Sequence, residues 1–312
     1  MISVNSVSRF YGDVCAVNNI SFTIRKGEIT GLLGPNGAGK TTTLRMLTCY
    51  LRPSSGTITV GDRLVSEDPI AVKRMIGYLP ETAPLYGDML VHDYLNYVGM
   101  MHSMPRNGRI REIAGTCGIN EVMHMPMGEL SKGYRQRVGL AHAMIHDPEI
   151  LILDEPTSGL DPNQIIEIRN LIKEIGRKKT VILSTHILSE VEATCERVII
   201  IDRGRIVTDS RTEDLKASFG KEARVDIKVR GTDFAALSAA VRGINGVRDV
   251  VETKDEEDLA SATVAAASGV DVRPDLFRLV KDKGWVLYEM SRKRMTLEHV
   301  FRELTGGGEH ES

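Results

Sequence analysis

Ile20, Phe22 and Ile24 alternate with Ser21, Thr23 and Arg25, the two-residue period of a strand with one buried face. Apolar residues then crowd into EITGLLG (28–34), a second strand that runs straight into a glycine-rich loop. From about Lys40 the period lengthens, with Leu44, Leu47 and Leu51 on one face of a helix, which the turn PSSG (53–56) ends. Short strands follow at TITV (57–60) and IGYLP (76–80), and from about Pro84 to Asp147 the chain reads as helical. EILILD (149–154) is a continuous apolar run, the mark of a central parallel strand buried on both faces. A helix over 162–178 carries Ile165, Ile168, Leu171, Ile172 and Ile175 on one side, and a second buried strand follows at TVILST (180–185). VIIID and RGRIV (198–207) read as a hairpin through an Arg-Gly turn.

Strands alternating with helices predict an α/β domain with a mainly parallel sheet, to which the early antiparallel strands and the helical middle (about 84–147) are additions. After Leu215 the pattern restarts. Strand, helix and strand are expected at 223–229, 233–244 and 247–254, then strand, helix, strand and helix at 258–266, 273–284, 285–290 and 296–304. That order predicts a small α+β split βαβ domain over 220–305, separate from a first domain over 1–215, with a disordered tail at 306–312.

Composition changes this picture little. With 42% hydrophobic and 26% charged residues the chain reads as globular, and a net charge of −2 supplies no global field for nucleic acid. No run approaches the roughly 18 apolar residues of a membrane span, and the first residues lack a signal-peptide pattern, so a cytoplasmic location is expected. The four cysteines are widely spaced and read as free thiols. Met100, Met101, Met104, Met123, Met125 and Met127, with His92, His102 and His124, have no compact ligand spacing. They read as core filler and an adaptable docking face rather than a copper site.

The chemistry is carried by GPNGAGKT, which is Gly34, Pro35, Asn36, Gly37, Ala38, Gly39, Lys40 and Thr41. Glycines let backbone N–H groups turn inward around phosphate oxygens, and the following helix adds the positive end of its dipole. Lys40 is placed for the β- and γ-phosphates of ATP, the Thr41 hydroxyl for Mg²⁺, and Thr42 for the α-phosphate. Asp154 closes the apolar run ILIL, the Walker B arrangement for a second metal anchor. Glu155 follows as the natural general base for an attacking water.

These segments, with LSKGYRQRVGLA (130–141) ahead of the Asp154 strand, resemble the ATP-binding cassette ATPases over about residues 2–215. Leu130, Ser131 and Gly133 match the family's signature LSGGQ, while Lys132 and Tyr134 depart from it. The resemblance implies a P-loop cassette fold with an antiparallel β subdomain and a helical subdomain. It also implies roles for single residues: Asp161 in the D-loop SGLD, His186 at the γ-phosphate, and Tyr11 stacked on adenine. Glu81 stands where most members carry the glutamine of the Q-loop, as a metal or water ligand. Two cassettes would work head to tail, so that Ser131 and Gly133 of one chain complete the site of a second copy or a homologue. GYLPE, LSKGY and the appended domain are similar to ABC-2 exporter subunits of the gliding-motility and multidrug types. That likeness implies an ATPase docked on an integral-membrane permease at the inner face of the cell membrane, and no nucleic-acid partner. The competing reading is a soluble cassette ATPase acting on ribosomes or DNA. A small-molecule P-loop kinase would leave residues 130–141 and His186 unexplained.

Overall fold

The computed structural model describes residues 1–82, 86–103, 108–219, 223–253, 259–267 and 270–293, in two compact units that divide after Thr212. Its first strand, β1 (Ile2–Tyr11), is one that the alternation does not mark. Ser6 sits at φ 50° and the pairing register slips on both sides of Val7, so Ile2, Val4 and Val7 are all buried although their spacing is irregular. β1 pairs antiparallel with β2 (Val14–Ile24), which contains the predicted Ile20–Ile24 alternation.

β3 (Ile29–Leu33) is buried throughout and leads through the glycine-rich loop into α1 (Lys40–Leu47). The helix stops earlier than the leucine spacing predicts. The Thr48 hydroxyl donates back to Leu44 O and Cys49 turns at φ 58°, so Leu51 packs on the core from a bend instead. β4 (Ser55–Val60) takes in the last two residues of the predicted turn and pairs with β1, and β5 (Arg63–Leu64) completes a four-stranded antiparallel sheet. α2 (Pro69–Met75) is too short for its period to stand out. It is set by Asp68, whose carboxylate accepts Ala71 N–H, and by Pro69 in the first turn.

β6 (Ile76–Leu79) precedes the helical middle, which breaks into α3 (Val91–Met101), α4 (Gly108–Cys117) and α5 (Lys132–Met144) with single 3-10 turns at Asn120–Val122 and Met127–Glu129. Met104 and the segment around Pro84 lie outside the described residues. At Gly77 the strand meets α5 backbone to backbone: a Cβ there would stand 2.0 Å from the Ala143 carbonyl oxygen.

The remaining elements of this unit are β7 (Ile150–Asp154), α6 (Pro162–Gly176), β8 (Thr180–Thr185), α7 (Leu188–Thr194), β9 (Arg197–Asp202) and β10 (Arg205–Arg211). They complete a sheet ordered β10-β9-β3-β8-β7-β6, parallel except for β10, which returns from β9 through Arg203 and Gly204 at φ 47° and 75°. Because β8 lies between β3 and β7, Leu33 stands beside Thr185, and Asp154 beside Ser184. The carboxyl ends of three strands therefore reach one edge together, where ligands of open α/β sheets bind.

After α8 (Thr212–Phe219), the second unit runs β11 (Ala223–Arg230), α9 (Phe234–Arg242), β12 (Val247–Glu252), β13 (Ala260–Ala266), α10 (Arg273–Asp282) and β14 (Val286–Lys293). Its sheet is antiparallel in the order β12-β13-β11-β14. Val225, Ile227, Val229, Ala262 and Val264 form one face with Leu237, Val241, Leu276 and Val280 of the two helices against it. The helix expected at 296–304 and the tail at 306–312 lie outside the described residues. Among the described residues no helix is long and apolar enough to cross a membrane.

Candidate functional site

The loop after β3 closes on itself around Lys40. Gly39 adopts φ 105°, where an L side chain is strained, and a Cβ there would also come within 2.6 Å of Ala16 O. Gly34 is crowded too, since its Cβ would lie 2.2 Å from Ile201 O. The buried Lys40 ammonium donates to Gly34 O at 2.8 Å and Pro35 O at 3.2 Å, and pairs with Glu155 Oε1 at 3.3 Å. Among the first-turn residues of α1 there is no acid, so the positive end of its dipole is uncompensated from within the helix.

Asp154 is fully buried at the end of β7. Its Oδ1 accepts the Thr41 hydroxyl at 3.2 Å and the Ser184 hydroxyl at 2.5 Å. Ser184 Oγ in turn accepts Glu155 N–H at 3.0 Å, and the Ser184 carbonyl accepts the same N–H at 3.2 Å. These bonds hold Glu155 at φ 48°, an uncommon conformation for a residue with a side chain. The turn swings its carboxylate back over the loop, where Oε2 lies 3.0 Å from His186 Nδ1.

A cavity of about 380 Å³ is lined by Ala16, residues 36–42, Glu81, Glu155, Ser158 and His186. It thus gathers Asn36, Gly37, Ala38, Gly39, Lys40, Thr41, Thr42, Glu81, Glu155 and His186 at one place, with Asp154 directly beneath Thr41. Tyr11, Ser131, Gly133 and Asp161 are not among the residues that line it. Tyr11 is 44% exposed at the end of β1, its ring 5.0 Å from the Arg9 guanidinium carbon, and Arg9 Nη1 donates to Arg52 O at 3.0 Å. Ser131 is exposed and caps α5, accepting Tyr134 N–H at 3.3 Å. Asp161 caps α6, accepting N–H from Asn163 and Gln164. Gly133 packs on the Gln164 amide, which a Cβ would meet at 2.8 Å, so the starts of α5 and α6 lie side by side.

Ala16 belongs to the site although it lies in no motif, and Ser158 and Ser184 belong to it although the motifs SGLD and STH that contain them assign roles only to Asp161 and His186. Ser184 precedes the Thr-His pair, and only the interposed position of β8 brings it to Asp154.

Chemically the site offers inward-turned backbone and an ammonium for a polyphosphate, paired hydroxyl and carboxylate oxygens for a hard divalent cation, and a carboxylate beside an imidazole for proton transfer. Thr41 Oγ1 and Asp154 Oδ1 are oxygen donors already within 3.2 Å of one another, the donor chemistry Mg²⁺ prefers.

The chain is similar to known subunits of ABC transporters. Residues 17–158 match the family model described as "ABC transporter". The chain is 39% identical over 255 residues to the ABC transporter ATP-binding protein NatA of Bacillus subtilis (strain 168), which covers 78% of this chain and 100% of that one. It is 33% identical over 312 residues to the linearmycin resistance ATP-binding protein LnrL of the same strain, covering 98% of each chain. Among solved structures, cbiO1 from Clostridium perfringens, part of the ABC transporter complex cbiONQ, superposes with a TM-score of 0.65 at 28% identity, over 70% of this chain and 91% of that one.

Proposed function

Because this chain belongs to the ATP-binding family of ABC transporters, we propose that it hydrolyses ATP to drive export through a membrane permease, working as a pair of cassettes. One observation carries the reading: Lys40, Thr41, Asp154, Glu155 and His186, from three stretches of sequence, are brought together, Lys40 and His186 on Glu155 and Thr41 on Asp154. A resistance protein similar over nearly the full length of both chains supports the exporter assignment.

The triphosphate of ATP seats on the loop N–H groups and the start of α1, and competes with Glu155 for the Lys40 ammonium. Thr41 and Asp154 would hold Mg²⁺, with Glu81 exposed on the cavity wall as a further oxygen; the ion would neutralise charge developing on the phosphates. Glu155, released from Lys40, takes a proton from the attacking water as its oxygen bonds to the γ-phosphorus and ADP leaves. His186, on the other carboxylate oxygen, orients Glu155 and faces the γ-phosphate. Tyr11, exposed at the end of β1, is the aromatic face for the adenine ring.

Ser131 and Gly133 do not line the cavity of their own chain, and Ser131 is exposed at a helix start. That placement suits them to the γ-phosphate of a second copy or a homologous cassette, with Asp161 beside them. Tyr86, Tyr97 and Met101, exposed in the helical middle, suit that part to dock on the permease at the inner membrane face.

The test is co-purification. The tagged chain should retain an integral-membrane protein, and the complex should release phosphate from ATP with Mg²⁺. Stimulation by ribosomes or DNA, with no membrane protein retained, would overturn the exporter reading.

A further inference from the structure

Glu190, in the first turn of α7, is 3% exposed. Its Oε1 accepts the Thr157 hydroxyl and its Oε2 accepts the Thr185 hydroxyl at 2.7 Å. Among the described residues no Lys, Arg or His lies within ion-pair distance of it. A carboxylate is costly to bury without a cation, so two hydroxyl donors on opposite oxygens indicate a selected arrangement rather than a tolerated one.

The two threonines belong to different loops. Thr157 follows Glu155 by two residues and precedes Ser158, which lines the cavity. Thr185 ends β8 and immediately precedes His186, and its Oγ1 also accepts Ile187 N–H at 3.0 Å, which turns the chain just past the histidine. One carboxylate therefore fastens the loop that carries Glu155 to the loop that carries His186, whose side chains meet at 3.0 Å.

We propose that Glu190 is a positioning residue of the hydrolytic site, setting the spacing of the two loops so that His186 meets Glu155. This rests on the reading that the site hydrolyses ATP. The carboxylate is needed for its symmetry, since two donors require two acceptors. The amide of glutamine offers one acceptor, and its N–H₂ would face a Thr185 oxygen that already accepts Ile187 N–H, leaving that hydroxyl's own proton without an acceptor. The isosteric Thr157→Val and Thr185→Val changes remove one donor each. A serine at either place keeps it.

The experiment measures kcat, KM for ATP and the thermal midpoint of the full chain, with its permease if turnover requires it. Glu190→Gln, Thr157→Val and Thr185→Val should each lower kcat by about tenfold to a hundredfold, with KM within about twofold of wild type. Thr157→Ser and Thr185→Ser should restore turnover. Combining Glu190→Gln with Thr157→Val should lose less than the product of the two single losses, because both cut the same strap. Variants that lower the thermal midpoint but keep wild-type kcat would make Glu190 a purely structural residue and overturn the proposal. If Glu190→Gln does not fold, the two valine variants decide the question alone. A wild-type chain that hydrolyses no ATP would instead overturn the functional reading, and the proposal with it.

Discussion

Lys40 Nζ and Glu155 Oε1 form an ion pair at 3.3 Å in which both side chains are almost completely buried. Each is set by its own loop, and each neutralises the other's charge. Removing one partner leaves an uncompensated buried charge, a loss of about 3–5 kcal/mol. Lys40→Met should therefore lower stability by an amount in that range, and Glu155→Gln in the same chain should recover part of it. Urea unfolding of the two single variants and the double variant measures the coupling. Strictly additive losses would mean that the pair contributes little.

Glu155→Gln alone keeps the shape of the site and removes the proton acceptor. ATP should still bind, phosphate release should fall by about a hundredfold or more, and ATP with Mg²⁺ should trap a dimer. Size-exclusion chromatography checks the dimer, and a monomer throughout would count against a site shared between two chains.

Gly39→Ala places a methyl group 2.6 Å from the Ala16 carbonyl oxygen, in a conformation that costs an L residue about 1–2 kcal/mol before any clash is counted. The loop should open, with nucleotide binding lost and a lower melting temperature. Wild-type ATP binding in this variant would contradict the loop's assigned role.

Arg9 lies over the Tyr11 ring and is itself anchored on Arg52 O. A cation–π contact at so exposed a site contributes about 0.5–1 kcal/mol. Arg9→Leu should weaken ATP binding by roughly two- to fivefold, with kcat at saturating ATP unchanged. Titration with a fluorescent nucleotide reads the affinity. An unaffected affinity would remove Arg9 from the nucleobase site.

The helical part should be sensitive to acid. Burial first, then neighbouring His102, lowers the His146 imidazole to about 4, and its ring stacks on His102 at 4.2 Å. Burial, then Arg74, lowers His102, and burial, then His102, lowers His142, which is hydrogen-bonded to Tyr94. The unfolded chain takes up these protons near the ordinary histidine value of about 6.5, the folded chain only below it. The stability tied to the neutral rings is complete above that value and is lost as pH falls towards 4. Urea midpoints measured from about pH 7.5 to about pH 4.5 should fall, and His146→Gln should flatten the curve.

Much of the site is legible in the sequence because the phosphate loop and the Asp154-Glu155 pair are contiguous, and their chemistry depends on local backbone. The buried strands of the parallel sheet are equally plain, since burial on both faces leaves an unbroken apolar run. What escapes the sequence is non-local. β1 is hidden because Ser6 and the register slips around Val7 break its alternation. α2 and α7 are too short for a period to emerge. Ser184, Thr157 and Glu190 look like ordinary polar residues until strand order places β8 between β3 and β7.

The contact at Gly77 has a mechanical consequence. Where a strand and a helix touch through side chains, they can slide as rotamers change. Gly77 and the Ala143 carbonyl leave no such cushion, so β6 and α5 are geared together. Ser131 sits at the start of one and Glu81 just past the end of the other. A displacement of α5 therefore meets no side-chain slack at this contact and bears directly on β6, the strand that leads to Glu81.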